Sequence, residues 1–224
     1  MKKLIYILGV LLMGGLYQSC KEQEIELYDQ EARINFYSYR TAIEFVDSDY
    51  VKKTPFLVDS FQVRIQGTHL SEAKTFCVKT VENTDYDNPV EISLEKTYTY
   101  TNLTDVVQKF PYKIIRPELK ADKKVYGCFL EFDLLNPNHK FAKGLIEKHR
   151  LVVHVSWNLR PSDWEEWPWG DYSDAKYIFM MDVLGRTYKE ITEDDFDTVE
   201  AAYAKHKESG NPPIVDDKGN EIQF

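Results

Sequence analysis

The sequence predicts a mainly β protein, an immunoglobulin-like antiparallel β-sandwich followed by a small mixed α/β C-terminal portion. Three observations predict it. Apolar residues alternate with polar ones in about seven or eight short runs before Trp157, and period two is the signature of a half-buried strand. The runs are punctuated by Gly67-Thr68, Asn88-Pro89, Arg116-Pro117 and Asn136-Pro137-Asn138, residue types that turn a chain or cannot continue a ladder. After Trp157 the alternation gives way to helix-like spacing.

Taken in order, Ala32 to Tyr39 reads as a short aromatic strand. Asp59 to Ile65 alternates at Phe61, Val63 and Ile65. Lys74 to Val81 alternates at Phe76 and Val78, and Val90 to Leu94 at its first, third and fifth residues. Tyr112 to Ile115, Lys124 to Leu135 and His149 to Trp157 complete the set. Evenly spaced short strands over this length fit a sandwich. Beyond them, Ser173 stands as an N-cap before Asp174-Ala175-Lys176 and an apolar run to Leu184, stopped by Gly185. Tyr177, Phe179, Met180, Val183 and Leu184 would line the buried side of that helix. Ile178 and Met181 make the run apolar nearly all round, so a strand is the alternative. Thr192-Glu193-Asp194-Asp195 opens a second helix to about Ser209, with acidic residues at the favourable end of its dipole. Gly210-Asn211-Pro212-Pro213 ends it, and Ile214 to Phe224 reads as a terminal hairpin turning at Asp216 to Asn220.

Composition narrows the function. The 224 residues are 43% hydrophobic and 29% charged, which supports a folded core. The 37 acidic against 28 basic residues give a net charge of −9. Binding to nucleic-acid backbone is excluded on this basis, since it needs a basic face that displaces counterions. No apolar stretch after the first 20 positions is long enough to span a bilayer.

The N-terminus carries an address. Met1-Lys2-Lys3 precedes a nearly all-apolar run from Leu4 to Leu16, the form of a secretory signal. Tyr17-Gln18-Ser19-Cys20 resembles a bacterial lipobox. That makes residues 1–19 a signal peptide, Cys20 the lipidated first residue of the mature chain, and 20–31 a tether. The plainer alternative is an ordinary cleaved signal with a cysteine at that place. Acyl chains at about 0.8 kcal/mol per buried methylene would hold a folded domain on a membrane without a spanning helix. Lys21-Glu22-Gln23-Glu24 resembles the charged surface-export signal of Bacteroidota lipoproteins, which implies an outer-membrane protein facing the exterior; a solvated periplasmic tether is the alternative. Cleavage would remove Lys2 and Lys3 and take the charge from −9 to −11. Cys77 and Cys128 lie on strands whose sulfurs point to opposite sides if Phe76 and Tyr126 face the core, so two free packed thiols are expected.

Landmarks along the mature chain resemble a family of Bacteroidota surface lipoproteins that carry a domain of unknown function. These are Ile34-Asn35-Phe36, Arg116-Pro117-Glu118-Leu119, Asn138 to Gly144, Leu159-Arg160-Pro161-Ser162-Asp163-Trp164, and Trp169-Gly170-Asp171-Tyr172-Ser173-Asp174-Ala175-Lys176-Tyr177-Ile178-Phe179. The family's genes typically adjoin those of SusC-type porins and SusD-type lipoproteins. Where the family usually has a His-Tyr segment, this chain has Thr84-Asp85-Tyr86-Asp87-Asn88. The resemblance implies a sandwich (32–157) followed by a small α/β region (158–224), no established catalytic residue, and partnership with a SusC/SusD-type importer of glycans or peptides.

All four tryptophans fall between positions 157 and 169, and Tyr172 follows. Indole and phenol faces attract sugar C–H groups and cap peptide side chains, so Trp167, Trp157 and Tyr172 are the candidate ligand-binding residues. The competing expectation is that the cluster staples the sandwich to the helical part, with Trp164 and Trp169, in the family landmarks, as core anchors. Neither a catalytic constellation nor a cofactor site emerges from the sequence, and the chain is expected not to be an enzyme; the alternatives are an independent carbohydrate-binding module using the Trp157–Trp169 cluster and, behind it, a hydrolase using Glu165 and Glu166. Ser173 is a helix cap, the histidines are scattered, and Glu165 with Glu166 is the one carboxylate pair beside the tryptophans. A metal site is not expected. Asp85, Asp87 and Asn88 form the best local oxygen set, but turn chemistry accounts for them.

Overall fold

A computed structural model describes residues 31–67, 70–101, 107–119 and 124–224. The signal peptide, Cys20 and nearly all of the tether lie outside the described residues. The strands are β1 (Arg33–Phe36), β2 (Arg40–Val46), β3 (Phe56–Gln66), β4 (Lys74–Phe76), β5 (Val78–Val81), β6 (Ile92–Ser93), β7 (Tyr98–Tyr100), β8 (Val107–Ile115), β9 (Val125–Phe132), β10 (Ala142–Lys143) and β11 (Arg150–Asn158). One sheet has the order β10-β1-β3-β8-β6 and the other β2-β11-β9-β5, with β4 and β7 paired separately. The fold is thus the β-sandwich the alternation predicts, with helices α1 (Asp47–Val51), α2 (Asp174–Leu184) and α3 (Phe196–Glu208).

Period two becomes burial directly. In β11, Leu151, Val153, Val155 and Trp157 are buried, and the residues between them are at least partly exposed. β8 buries Phe110, Tyr112 and Ile114 in the same way. Its Pro111 cannot donate to a ladder and sits where β6, which pairs only with Ile114 and Lys113, no longer covers β8. The two sheets meet through rings: Phe36 stacks on Phe132 at 4.2 Å between centroids, and behind it Phe61, in the same sheet as Phe36, packs edge-on to Phe36 and to Tyr98 of the β4–β7 pair.

Several boundaries differ from the sequence expectation. The run from Lys74 to Val81 is two strands: β4 pairs with β7 and β5 with β9, so the chain changes sheets at Cys77. Phe76, Cys77 and Val78 are consequently all buried in succession, where alternation would have exposed one. Cys77 and Cys128 are both free and buried, as expected. β2, β7 and β10 are additional strands, and β2 and β10 join their sheets in parallel with β11 and β1.

The C-terminal portion docks through tyrosines. Ser173 caps α2, its Oγ accepting from the Lys176 N–H at 3.2 Å. The segment is a helix, not a strand, and buries Lys176, Tyr177, Met180 and Met181, while Phe179, Val183 and Leu184 are half-buried. The Tyr177 hydroxyl donates to Asp47 Oδ2 at 2.8 Å and accepts from the Tyr188 N–H at 2.7 Å. Tyr50 of α1 donates to Asp182 at 2.9 Å. The second helix begins after a 3₁₀ turn at Glu193–Asp195 capped by Thr192, whose N–H donates to Asp195 at 2.9 Å. The terminal hairpin is reduced to one bridge, Val215 with Glu221.

Two landmarks of the sequence meet in space. Asn35 is fully buried, and its Oδ1 accepts from the Leu145 N–H at 2.7 Å. Gly144 passes so close that an added Cβ would stand 2.2 Å from Asn35 Oδ1 and 2.3 Å from the Ile34 carbonyl oxygen. Backbone cannot yield there cheaply. Gly144→Ala is therefore expected to destabilise the fold by about 1–3 kcal/mol, read as a lower urea midpoint with an unchanged slope.

A second clasp uses imidazoles. His139 Nδ1 accepts from the Cys77 N–H at 3.2 Å, which puts its proton on Nε2. His149 Nε2 lies 3.3 Å from Glu131 Oε1. The remaining nitrogens, His139 Nε2 and His149 Nδ1, are buried and unpartnered among the described residues. Burial lowers both pKa values below 6.5; at His139 Asp133 opposes the shift and His149 reinforces it, and at His149 Glu131 opposes it while Lys143 and Arg150 reinforce it. The unfolded chain then takes up protons near pH 6.5 that the folded chain refuses. The clasp's stabilisation is full above that pH and is lost as pH falls below it. The urea midpoint should drop between about pH 7.5 and pH 5. A His139→Gln, His149→Gln double variant should show a smaller drop, and an equal drop would assign the effect to other groups.

Candidate functional site

The stretch from the end of β11 to Tyr172 carries all the sequence-predicted ligand residues, and the structure separates them. Trp157 is 5% exposed. Its ring packs on Phe45 and Tyr50, the Arg116 guanidinium lies 5.2 Å above it, and its Nε1 donates to the Pro117 carbonyl at 3.3 Å. It is a core anchor and offers no face to a ligand, which corrects the sequence expectation. The cause is its position in period with the buried residues of β11. Trp169 is also buried, against Phe196. Trp164 is half-buried, stacked on Tyr188 at 4.9 Å and donating to the Gly170 carbonyl at 3.0 Å. Trp167 alone stands out, 76% exposed, in a turn where the Trp167–Pro168 peptide is cis.

Tyr172 opens onto a cleft. Two abutting cavities of about 390 and 380 Å³ share Tyr172, Ser173, Asp217 and Lys218. One wall is the segment Pro168–Ser173; the other is the end of the chain from Asp216 to Phe224. Lys124, Arg160 and Asp174 close the first cavity, and Lys176 lines the second.

Most charges in this cleft are already committed. Asp174 accepts from the Tyr172 hydroxyl at 2.5 Å and pairs with Lys124. Burial, then that hydrogen bond, raises the Tyr172 pKa well above the ordinary phenol value, so the ring stays a neutral donor. Asp216 caps its own turn, accepting from the Lys218 and Asn220 N–H groups at 2.9 and 2.7 Å. Glu221 accepts from Tyr203 and Lys207. The Arg160 guanidinium lies 5.1 Å over the Tyr172 ring, a cation–π contact that holds the ring in place.

Lys176 is unusual. The residue is 5% exposed, and its ammonium donates to the Trp169 carbonyl at 2.7 Å. Gly170 makes room for it: a Cβ there would lie 3.3 Å from Nζ, and the φ of +71° favours glycine. Burial lowers the Lys176 pKa, with Asp171 acting against the shift.

The other candidates lie away from the cleft. Asp85 and Asn88 shape a turn that lays Tyr86 over Gly127, with Tyr86 bonded to His154 Nδ1 at 3.1 Å. Glu165 and Glu166 are exposed, and neither lines the cleft. Among the described residues no group of three or more His, Cys, Asp or Glu is placed to hold a metal ion. Sequence reasoning named Tyr172 but missed Lys124, Arg160, Lys176, Asp217 and Lys218. One signal was available: Lys176 falls four residues before Met180, on the stripe that α2 buries.

No family model and no curated protein matches the chain. Among solved structures, the apo-form Calx CBD1 domain is similar at 10% identity and a TM-score of 0.38, covering 58% of this chain and 99% of that one. A candidate carbohydrate-binding protein from Bacteroides ovatus ATCC 8483 shows 13% identity and a TM-score of 0.41, over 55% of this chain and 36% of that one. A two-domain protein of unknown function from Bacteroides fragilis NCTC 9343 shows 11% identity and a TM-score of 0.40, over 61% and 48%.

The two tryptophans should separate cleanly. Trp157→Ala is expected to cost about 3–5 kcal/mol of stability, as for a large core ring. Trp167→Ala should stay within about 0.5 kcal/mol. Urea unfolding of both variants checks this.

Proposed function

We propose that this chain is a non-catalytic, lipid-anchored protein of the outer-membrane exterior. It would hold a glycan or peptide ligand for a SusC/SusD-type importer. Cys20, following a signal-like run and preceding the acidic Lys21-Glu22-Gln23-Glu24, supports the anchor and the address. The observation that carries the ligand-holding role is the cleft at Tyr172. It combines an aromatic ring, the Lys176 ammonium with donors beyond its bond to the Trp169 carbonyl, and enough volume for two or three sugar rings or a short peptide. Its Asp174 is held by a tyrosine and a lysine and serves to position them. In the alternative reading of an independent carbohydrate-binding module, the aromatic platform would be Trp167 with Tyr172 and would not include Trp157.

Pull-down of the tagged full chain from detergent-solubilised outer membrane should recover a porin-type partner, and protease shaving of whole cells should remove the protein. Recovery of the chain alone, or full protection from protease in intact cells, would overturn the importer reading. Affinity electrophoresis with a polysaccharide panel then tests the ligand role. Tyr172→Ala should abolish retardation, and Trp167→Ala should weaken it about three- to thirtyfold if its ring stacks on a sugar, the equivalent of roughly 0.5–2 kcal/mol.

A further inference from the structure

We infer that the Lys176 ammonium is the recognition point for a carboxylate, so that the cleft takes acidic ligands. The inference rests on the ligand-holding role proposed above and narrows its chemistry.

A buried lysine is normally paired. Lys176 has three N–H donors and reaches one backbone carbonyl, of Trp169. The ring of Phe224 lies under it, its centroid 5.7 Å from Nζ. Among the described residues no carboxylate comes within ion-pair distance of it; the nearest acidic influence is Asp171, felt through space. Of the other carboxylates along the second cavity, Asp216 is spent on its own turn and Glu221 on Tyr203 and Lys207, while Asp217 is exposed on the wall that both cavities share. A desolvated cation on the wall of a 380 Å³ cavity therefore has no directly paired carboxylate among the described residues. Desolvation strengthens a charge-assisted hydrogen bond to an arriving carboxylate. Arg160 and Lys218 line the same cleft and offset part of the charge of Asp171, Asp174, Asp216, Asp217 and Glu221, so the preference for an acid rests on Lys176 itself and not on the net charge of the lining.

Two sources present this chemistry, a uronic-acid unit of a glycan and the C-terminus of a peptide. Calorimetry on the full chain in detergent should compare four probes. They are a galacturonic-acid trisaccharide, its neutral galactose counterpart, an acetylated dipeptide with a free carboxylate, and the same dipeptide as its amide. The expected result is that one carboxylate probe binds at least about tenfold more tightly than its neutral counterpart, and that Lys176→Met removes this preference. Lys218→Ala, at an exposed position, should reduce it less. Which acid binds identifies the source. Tyr172-dependent binding of the neutral trisaccharide at equal or higher affinity would overturn the carboxylate assignment and leave the ligand role standing. No binding by any probe at millimolar concentration would overturn both. Should Lys176→Met fail to fold, carbon NMR of the lysine Cε in the wild-type chain decides. The Lys176 titration must move to higher pH when the acidic probe is added, and an unmoved titration overturns the inference.

Discussion

The cleft exists because one buried hydroxyl is satisfied twice. Tyr177 is wholly enclosed and its oxygen sits between Asp47, at the start of α1, and the backbone of Tyr188. A buried phenol without partners would be costly; with both it ties α2 to the sandwich and to the turn beyond α2. Its ring also adjoins Trp164, Tyr172 and Tyr188. That aromatic nest sets the angle at which the segment Pro168–Ser173 leaves the protein, and so places Tyr172 and the carbonyl that holds Lys176.

The same logic explains why the sequence landmarks lie where they do. Asn35 and Gly144 form one clasp, and Arg116, Pro117 and Trp157 another. Trp164, Gly170 and Tyr172 form a third. The first two bring together segments far apart in sequence, the third joins the ends of one short stretch, and each satisfies a polar group while doing so. Such contacts constrain residue identity more tightly than apolar packing does, since an unpartnered buried donor costs about 1–3 kcal/mol.

The strands were legible where a run of residues alternates and stays in one sheet, as in β11 and β8. The Ser173 cap and the helix after it were equally local. The change of sheet at Cys77 was hidden, because three buried residues in a row look like ordinary alternation with one neighbour misplaced. β2 alternates at Thr41, Ile43 and Phe45, but its partner is β11, more than a hundred residues on. The cleft was half visible. An aromatic cluster announces itself in sequence, so Tyr172 could be named. Lys176 and Lys218 become neighbours of one cleft only because the end of the chain folds back across Pro168–Ser173, a contact no local pattern records.

The parallel pairing of β2 with β11 has a kinetic consequence. The second sheet lacks its central strand until residue 158 has been made, and closing so long a loop is slow. That sheet must therefore wait for β11, whereas β1, β3 and β8 of the other sheet are all present by residue 115. The two faces of the core thus become available in sequence, and a chain emerging N-terminus first would hold the β1-β3-β8 face uncovered until the stretch Arg150–Asn158 arrives to close the other sheet over it.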